Sequence, residues 1–115
     1  MDPAVLEAIS SPRKREILRL VWREEQAAGA IHEAMPDVTF GAISLQLKWL
    51  LERGLVDVRF EQRNRFYKAK REVFGAAGAI LEQMWDDALG RLKVAAELEE
   101  ARRGPRPDRR KKKKK

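Results

Sequence analysis

Between positions 48 and 71 the chain carries eight basic side chains, Lys48, Arg53, Arg59, Arg63, Arg65, Lys68, Lys70 and Arg71, against three acidic ones. The local charge is +5. Guanidinium and ammonium groups gathered in this way donate hydrogen bonds to phosphate oxygens and displace the counterions held there. Other reactive side chains are scarce. The 115 residues include no cysteine and one histidine, His32. Disulfides, thiolate metal sites, Fe–S clusters, cysteine nucleophiles and multi-histidine centres are therefore excluded. Ser44 has no nucleophile elbow around it, and the one histidine precedes it on a different predicted helix, so it suits a surface hydroxyl rather than a catalytic one. Glu82, Asp86 and Asp87 repeat at helical spacing with no histidine nearby, which describes a solvated acidic face rather than a metal site. No phosphate-binding glycine loop and no acid–base pair is visible. The chain is expected not to be an enzyme and to need no cofactor or metal.

Charge is distributed unevenly. The net +7 conceals a C-terminal stretch, residues 101–115, with ten basic residues and one acid, Asp108. Residues 1–100 sum to −2. Within them, residues 13–23 are +4 and residues 72–100 are −5. With 43% apolar and 37% charged residues, the chain reads as one soluble domain over residues 1–100 followed by a disordered basic tail over residues 101–115. No apolar run approaches the roughly 18–20 residues that cross a bilayer. Met1-Asp2-Pro3 lacks the basic start and apolar stretch of a secretory leader. A cytoplasmic protein with an anionic partner, most often nucleic acid, is expected.

The elements that would position the basic residues follow from caps and periodicity. Asp2-Pro3 and Ser11-Pro12 each read as an N-cap followed by proline at the first helical position. They open a short helix with Val5, Leu6 and Ile9, and a second with Ile17, Leu18 and Val21 that ends near Arg23. Residues 26–35 form a small-residue helix stopped by Pro36. Thr39 caps a longer helix from Phe40 to Arg53, whose apolar face is Phe40, Ile43, Leu47, Leu50 and Leu51. Gly54 occupies the left-handed C-terminal position. Alternation then signals two strands, Leu55 to Glu61 and a second opened by Phe66-Tyr67. Asn64 is the turn residue expected to take the left-handed backbone. From about Val73 to Arg103 one long helix is expected, weakened at Gly75, Gly78 and Gly90 and ended by Gly104-Pro105. Trp22 and Trp49 suit the core better than base stacking.

Residues 5–67 resemble the ArsR/SmtB-type winged helix-turn-helix repressors. The opening Val5-Leu6-Glu7-Ala8-Ile9-Ser10-Ser11-Pro12-Arg13-Lys14-Arg15-Glu16-Ile17-Leu18 is similar to the family's start. Gly41-Ala42-Ile43-Ser44-Leu45-Gln46-Leu47-Lys48-Trp49-Leu50 resembles its recognition helix, usually V-S-x-H-L-x-x-L. Arg53-Gly54-Leu55-Val56 is similar to its A-G-L-V step into the wing, and Arg65-Phe66-Tyr67 to the R-x-Y that closes the wing. There are departures. Gln46 replaces a histidine, Leu45 stands where a polar residue is usual, and the wing tip has Gln62 and Asn64 in place of its common glycine. The cysteines and His/Asp clusters of the family's metal sensors are missing, and the terminal helix, with Met84-Trp85 and Ala95-Ala96-Glu97-Leu98-Glu99-Glu100, is similar to the metal-independent branch.

The resemblance implies a mainly α fold with a small β-hairpin, a winged helix-turn-helix with a long C-terminal dimerisation helix from about residue 72. It implies a homodimeric, sequence-specific regulator of transcription, a repressor, on an inverted-repeat operator in double-stranded DNA. Thr39, Gly41, Ala42, Ser44, Gln46 and Lys48 would face the major groove or its rim, Gln46 pairing with adenine through its amide. Arg59, Arg63, Asn64 and Arg65 would hold the wing on the phosphates. Leu81, Trp85, Leu89 and Leu92 would meet a second copy. A different class stays open: a winged helix used as a protein-interaction module, with no sequence-specific DNA binding. A third reading has the tail bind nucleic acid nonspecifically.

Overall fold

A computed structural model describes residues 2–103, so the tail expected over residues 101–115 and the Gly104-Pro105 stop lie almost wholly outside the described residues. Two compact units are distinguished, one up to Leu81 and one from Glu82 onward.

In the first unit the caps act as the sequence implies. Asp2 accepts from the Ala4 N–H at 2.8 Å and opens α1, Pro3–Ser10. Ser11 accepts from the Lys14 N–H at 3.2 Å and opens α2, Pro12–Val21. Each side chain satisfies one of the amide donors that a helix start leaves without a partner. Residues 26–35 are not all helical: Gln26–Ala27 form a short strand, β1, and α3 covers Ala28–Ala34. Edge pairing of β1 with the hairpin replaces the first helical turn, an outcome that depends on a strand some forty residues away (Gln26 opposite Tyr67, Ala27 opposite Phe66).

Thr39 accepts from the Ala42 N–H at 3.1 Å at the start of α4, Phe40–Glu52. The helix ends in a Schellman arrangement. Leu55 N–H donates to the Leu50 carbonyl at 2.9 Å and Gly54 N–H to that of Leu51 at 3.0 Å. Gly54 takes φ +74°, which is why glycine is favoured there. Leu50 and Leu55, the apolar pair that accompanies this cap, are both buried.

β2, Val56–Glu61, and β3, Asn64–Ala69, form the hairpin of a three-stranded antiparallel sheet ordered β1-β3-β2. The turn is Gln62-Arg63, because Glu61 pairs with Asn64 as the last rung of the ladder. The left-handed residue is therefore Gln62, at φ +56°, and not Asn64. A positive φ at the first of two turn residues alone is the pattern of a II′ turn.

The long helix expected from about Val73 is present but starts later, at Ala76. A 3-10 turn, Arg71–Phe74, is followed by Gly75 at φ +55° and then by α5, Ala76–Arg103. The glycine joins the 3-10 turn to α5 at a backbone angle other residues resist. The core gathers Val5, Ile17, Leu18, Val21, Trp22, Ile31, Ile43, Leu47, Leu50, Leu55, Val56, Phe74, Ala77 and Leu81. Burying one such aliphatic side chain contributes about 1.5–3 kcal/mol. Trp22 is 1% exposed and meets Phe74 edge-on at 5.1 Å, so it is a core residue. A Cβ at Gly78 would stand 3.4 Å from the Trp22 ring, an ordinary van der Waals contact, so α5 packs closely on Trp22 here without the space itself requiring glycine. In the second unit, α5 from Glu82 onward exposes Met84, Leu89, Leu92, Val94 and Leu98.

Candidate nucleic-acid interface

Ile43, Leu47 and Leu50 anchor α4 in the core and so decide which of its residues turn outward. Gly41, Ser44, Leu45 and Lys48 are exposed along the opposite face, and Glu52 closes that face at its C-terminal end. Phe40 and Leu51, expected on the apolar face, are 49% and 37% exposed. They stand at the edge of the buried stripe and line a cleft between α4 and the hairpin. That cleft, of about 530 Å³, also takes in Ser44, Lys48, Arg63, Asn64, Arg65 and Tyr67. The fold thus brings together Ser44 and Lys48 with the wing residues Arg63, Asn64 and Arg65.

The remaining expected contacts are placed differently. Thr39 is exposed, but its hydroxyl is engaged in capping α4. Ala42 is half-buried. Gln46 does not share the face of Ser44 and Lys48. It lies on the flank facing the start of α2, in a hollow with Ser11, Arg13, Glu16, Met35 and Val38. Its Oε1 is buried with no hydrogen-bond partner among the described residues. The step of about 100° per residue that puts Leu47 in the core puts Gln46 beside it, not opposite it.

Strand parity separates the wing arginines. Phe60 pairs with Arg65 and Val58 with Tyr67, on the face that includes buried Val56 and Ala69. Arg65 lies over the Phe60 ring at 5.5 Å on that face. Arg59 belongs to the other face, 4.7 Å above Phe66. There Arg59 Nε and Nη2 donate to the two carboxylate oxygens of Glu25 at 3.0 and 2.6 Å, and Nη1 donates to Glu61 at 2.5 Å. These hydrogen bonds, to Glu25 first and then Glu61, raise the Arg59 pKa further, and the Arg59 hydrogen bond lowers that of Glu25. Arg59 is thus paired with two acids on the sheet face away from Arg65, which sets it apart from the other arginines expected to hold the wing on phosphates. Lys48 and Arg63 pair with no acid among the described residues.

A second cationic flank was not anticipated. Lys14 Nζ lies 4.7 Å from the centre of the Trp49 ring, and Arg53 lies 5.0 Å from it. Trp49 is half-buried and holds both cations beside α4, on the side away from the wing. The +4 count over residues 13–23 was the available signal, but pairing Lys14 with Trp49 requires the packing of α2 on α4. His32 is half-buried and edge-on to Phe40 at 5.5 Å. Among the described residues no group of three or more His, Cys, Asp or Glu side chains could hold a metal ion. No helix among them is long and apolar enough to cross a membrane.

On the second predicted surface, Leu81 is fully buried in the first unit and belongs to the intrachain core, which corrects its assignment to a partner contact. Leu89 and Leu92 are 64% and 68% exposed, and Trp85 is half-buried.

A helix-turn-helix whose second helix is exposed along one face, followed by a two-residue hairpin, defines a winged helix-turn-helix protein. Solved structures agree. An ArsR-like transcriptional regulator from Rhodococcus sp. RHA1 is 30% identical, with a TM-score of 0.59 over 82% of this chain and 88% of that one. HlyU, a transcriptional regulator from Vibrio vulnificus, is 28% identical, with a TM-score of 0.62 over 71% of this chain and 84% of that one. A homodimeric winged helix-turn-helix DNA-binding domain from Mycobacterium bovis, described as from a possible ArsR-family regulator, is 27% identical. Its TM-score is 0.61 over 73% of this chain and 77% of that one. No protein-family model and no curated protein sequence matches. The chain belongs to the ArsR-type winged helix-turn-helix family of transcriptional regulators.

Proposed function

We propose that the protein is a homodimeric, sequence-specific DNA-binding regulator of transcription, a repressor that does not sense metal. The observation that carries this reading is the placement of cations, paired with no acid among the described residues, on both sides of one exposed helix face. Arg63 and Arg65 flank α4 on the wing side, Lys14 and Arg53 flank it on the other, and Lys48 stands on the face itself. A helix fits the major groove of B-form DNA, and cations at its two flanks meet the phosphates of the two rims. The exposed Leu89, Leu92, Val94 and Leu98 of α5 support self-association. Two copies would place two α4 helices in successive major grooves about 34–36 Å apart.

Selection of bound duplexes from a random-sequence pool, followed by salt-titrated gel shifts, tests the reading. A palindromic consensus, bound at moderate salt in preference to random duplex, is expected. Failure to enrich any sequence, with no duplex retained at moderate salt, overturns it in favour of a protein-interaction module. Deleting residues 104–115 is expected to lower affinity while leaving the consensus unchanged.

A further inference from the structure

The outward face of α4 carries a large apolar side chain in the middle of otherwise small or charged neighbours. Leu45 is 67% exposed. One turn before it, a Cβ at Gly41 would have no heavy atom within 4 Å, so the face is open there as well. Leucine in this position forfeits the burial that stabilises leucines elsewhere in the chain, unless a bound partner covers it. The surroundings identify that partner. Lys48 shares its face, with Lys14 and Arg53 on one flank and Arg63 on the other, so the complementary surface is a polyanion. Duplex DNA presents phosphates on both rims of its major groove, and on the floor one apolar group, the C5-methyl of thymine. The residue best suited to read adenine, Gln46, is turned into the hollow beside α2, leaving the centre of the face to Leu45.

We propose that Leu45 is a specificity-determining residue whose isobutyl group packs against a thymine C5-methyl, selecting a T·A pair in one orientation. The assignment rests on the DNA-reading function proposed above. The contact is made by shape and desolvation, so it distinguishes thymine from cytosine and from uracil without a hydrogen bond.

The test uses the full chain and the duplex it enriches from a random pool, resynthesised with deoxyuridine in place of each thymidine in turn. Deoxyuridine pairs identically but lacks the methyl group. One such replacement is expected to weaken wild-type binding about fourfold, the effect of one methyl-sized group leaving a buried contact. Leu45→Ala is expected to lose that penalty, and Leu45→Met, which still reaches the methyl, to keep most of it. A penalty that persists unchanged in Leu45→Ala overturns the proposal, as does a wild-type protein indifferent to every replacement. A pool that never enriches removes the DNA-reading function and this assignment together, whereas an enriched site indifferent to deoxyuridine removes this assignment alone.

Discussion

Arg59 and Glu25 form a two-pronged ion pair between the hairpin and the segment leading into β1, with Nε and Nη2 of the arginine each donating to one carboxylate oxygen. The pair lies on the sheet face away from Arg65 and is tightened by Glu61. It consumes a guanidinium that would otherwise project from the wing, and both partners are largely in water, so its contribution to stability is small.

Glu25→Gln should therefore act on binding more than on folding. With one of its two acids removed, Arg59 becomes available to phosphate. Affinity for duplex DNA at low salt is expected to rise about two- to fivefold, with up to about one more counterion released. Fluorescence anisotropy over a salt series measures both, and an unchanged slope would show that Arg59 lies off the path of the DNA. The pair also sets a pH dependence. The folded Glu25 carboxyl, held down chiefly by the Arg59 hydrogen bond, takes up a proton less readily than the unfolded one. The small stabilisation is present above the ordinary glutamate range and is lost as pH falls through the lowered value. An NMR titration of the Glu25 side-chain carbonyl should show a midpoint below the ordinary glutamate range.

Arg63 and Arg65 should behave as phosphate contacts. Arg63→Ala is expected to weaken selected and random duplexes about equally and to reduce the salt slope by about 1. A loss confined to the selected sequence would mean that Arg63 reads a base.

Gln46 makes the opposite prediction from an outward-facing amide. Gln46→Met replaces a buried oxygen that lacks a partner among the described residues with an apolar chain of similar length. Stability in urea is expected to rise by about 0.5–1.5 kcal/mol, with discrimination between selected and random duplexes unchanged. A loss of discrimination would return Gln46 to the groove.

Two left-handed positions should respond in opposite directions to substitution. Gly54→Ala forces a Cβ into φ +74° and is expected to destabilise by about 1–2 kcal/mol. Gln62→Gly relieves the same constraint at φ +56° and is expected to stabilise by about 0.5–1 kcal/mol. Thermal melts of the two variants against wild type check the signs.

Leu81 and Leu89 lie two turns apart on α5, and their environments differ completely. Leu81→Ala opens a cavity in the core and is expected to cost about 2–5 kcal/mol in urea unfolding. Leu89→Ala changes a side chain exposed in one copy and, at concentrations where the chain is monomeric, should leave the unfolding of the first unit within about 0.5 kcal/mol of wild type. Equal losses in the two variants would contradict their placement.

By itself the sequence determined the elements whose cause is local. Asp2, Ser11 and Thr39 are N-caps because their side-chain oxygens reach amides two or three residues on. Gly54 ends α4 because a left-handed residue needs no Cβ, and Ile43, Leu47 and Leu50 set the buried stripe by their spacing. The fold class and the grouping of Ser44 and Lys48 near Arg63, Asn64 and Arg65 follow from that order of elements. Only the tertiary structure decided features whose partners are far apart in the chain. β1 forms because Gln26 and Ala27 find the edge of β3. Arg59 is withdrawn because Glu25 lies across from it, Lys14 joins the surface because α2 packs Trp49 beside it, and Leu81 is core because Ala76–Leu81 belongs to the first unit. Spacing along one helix or strand fixes a residue's face relative to its own neighbours. What that face meets depends on elements brought together by burial, and periodicity carries no information about that.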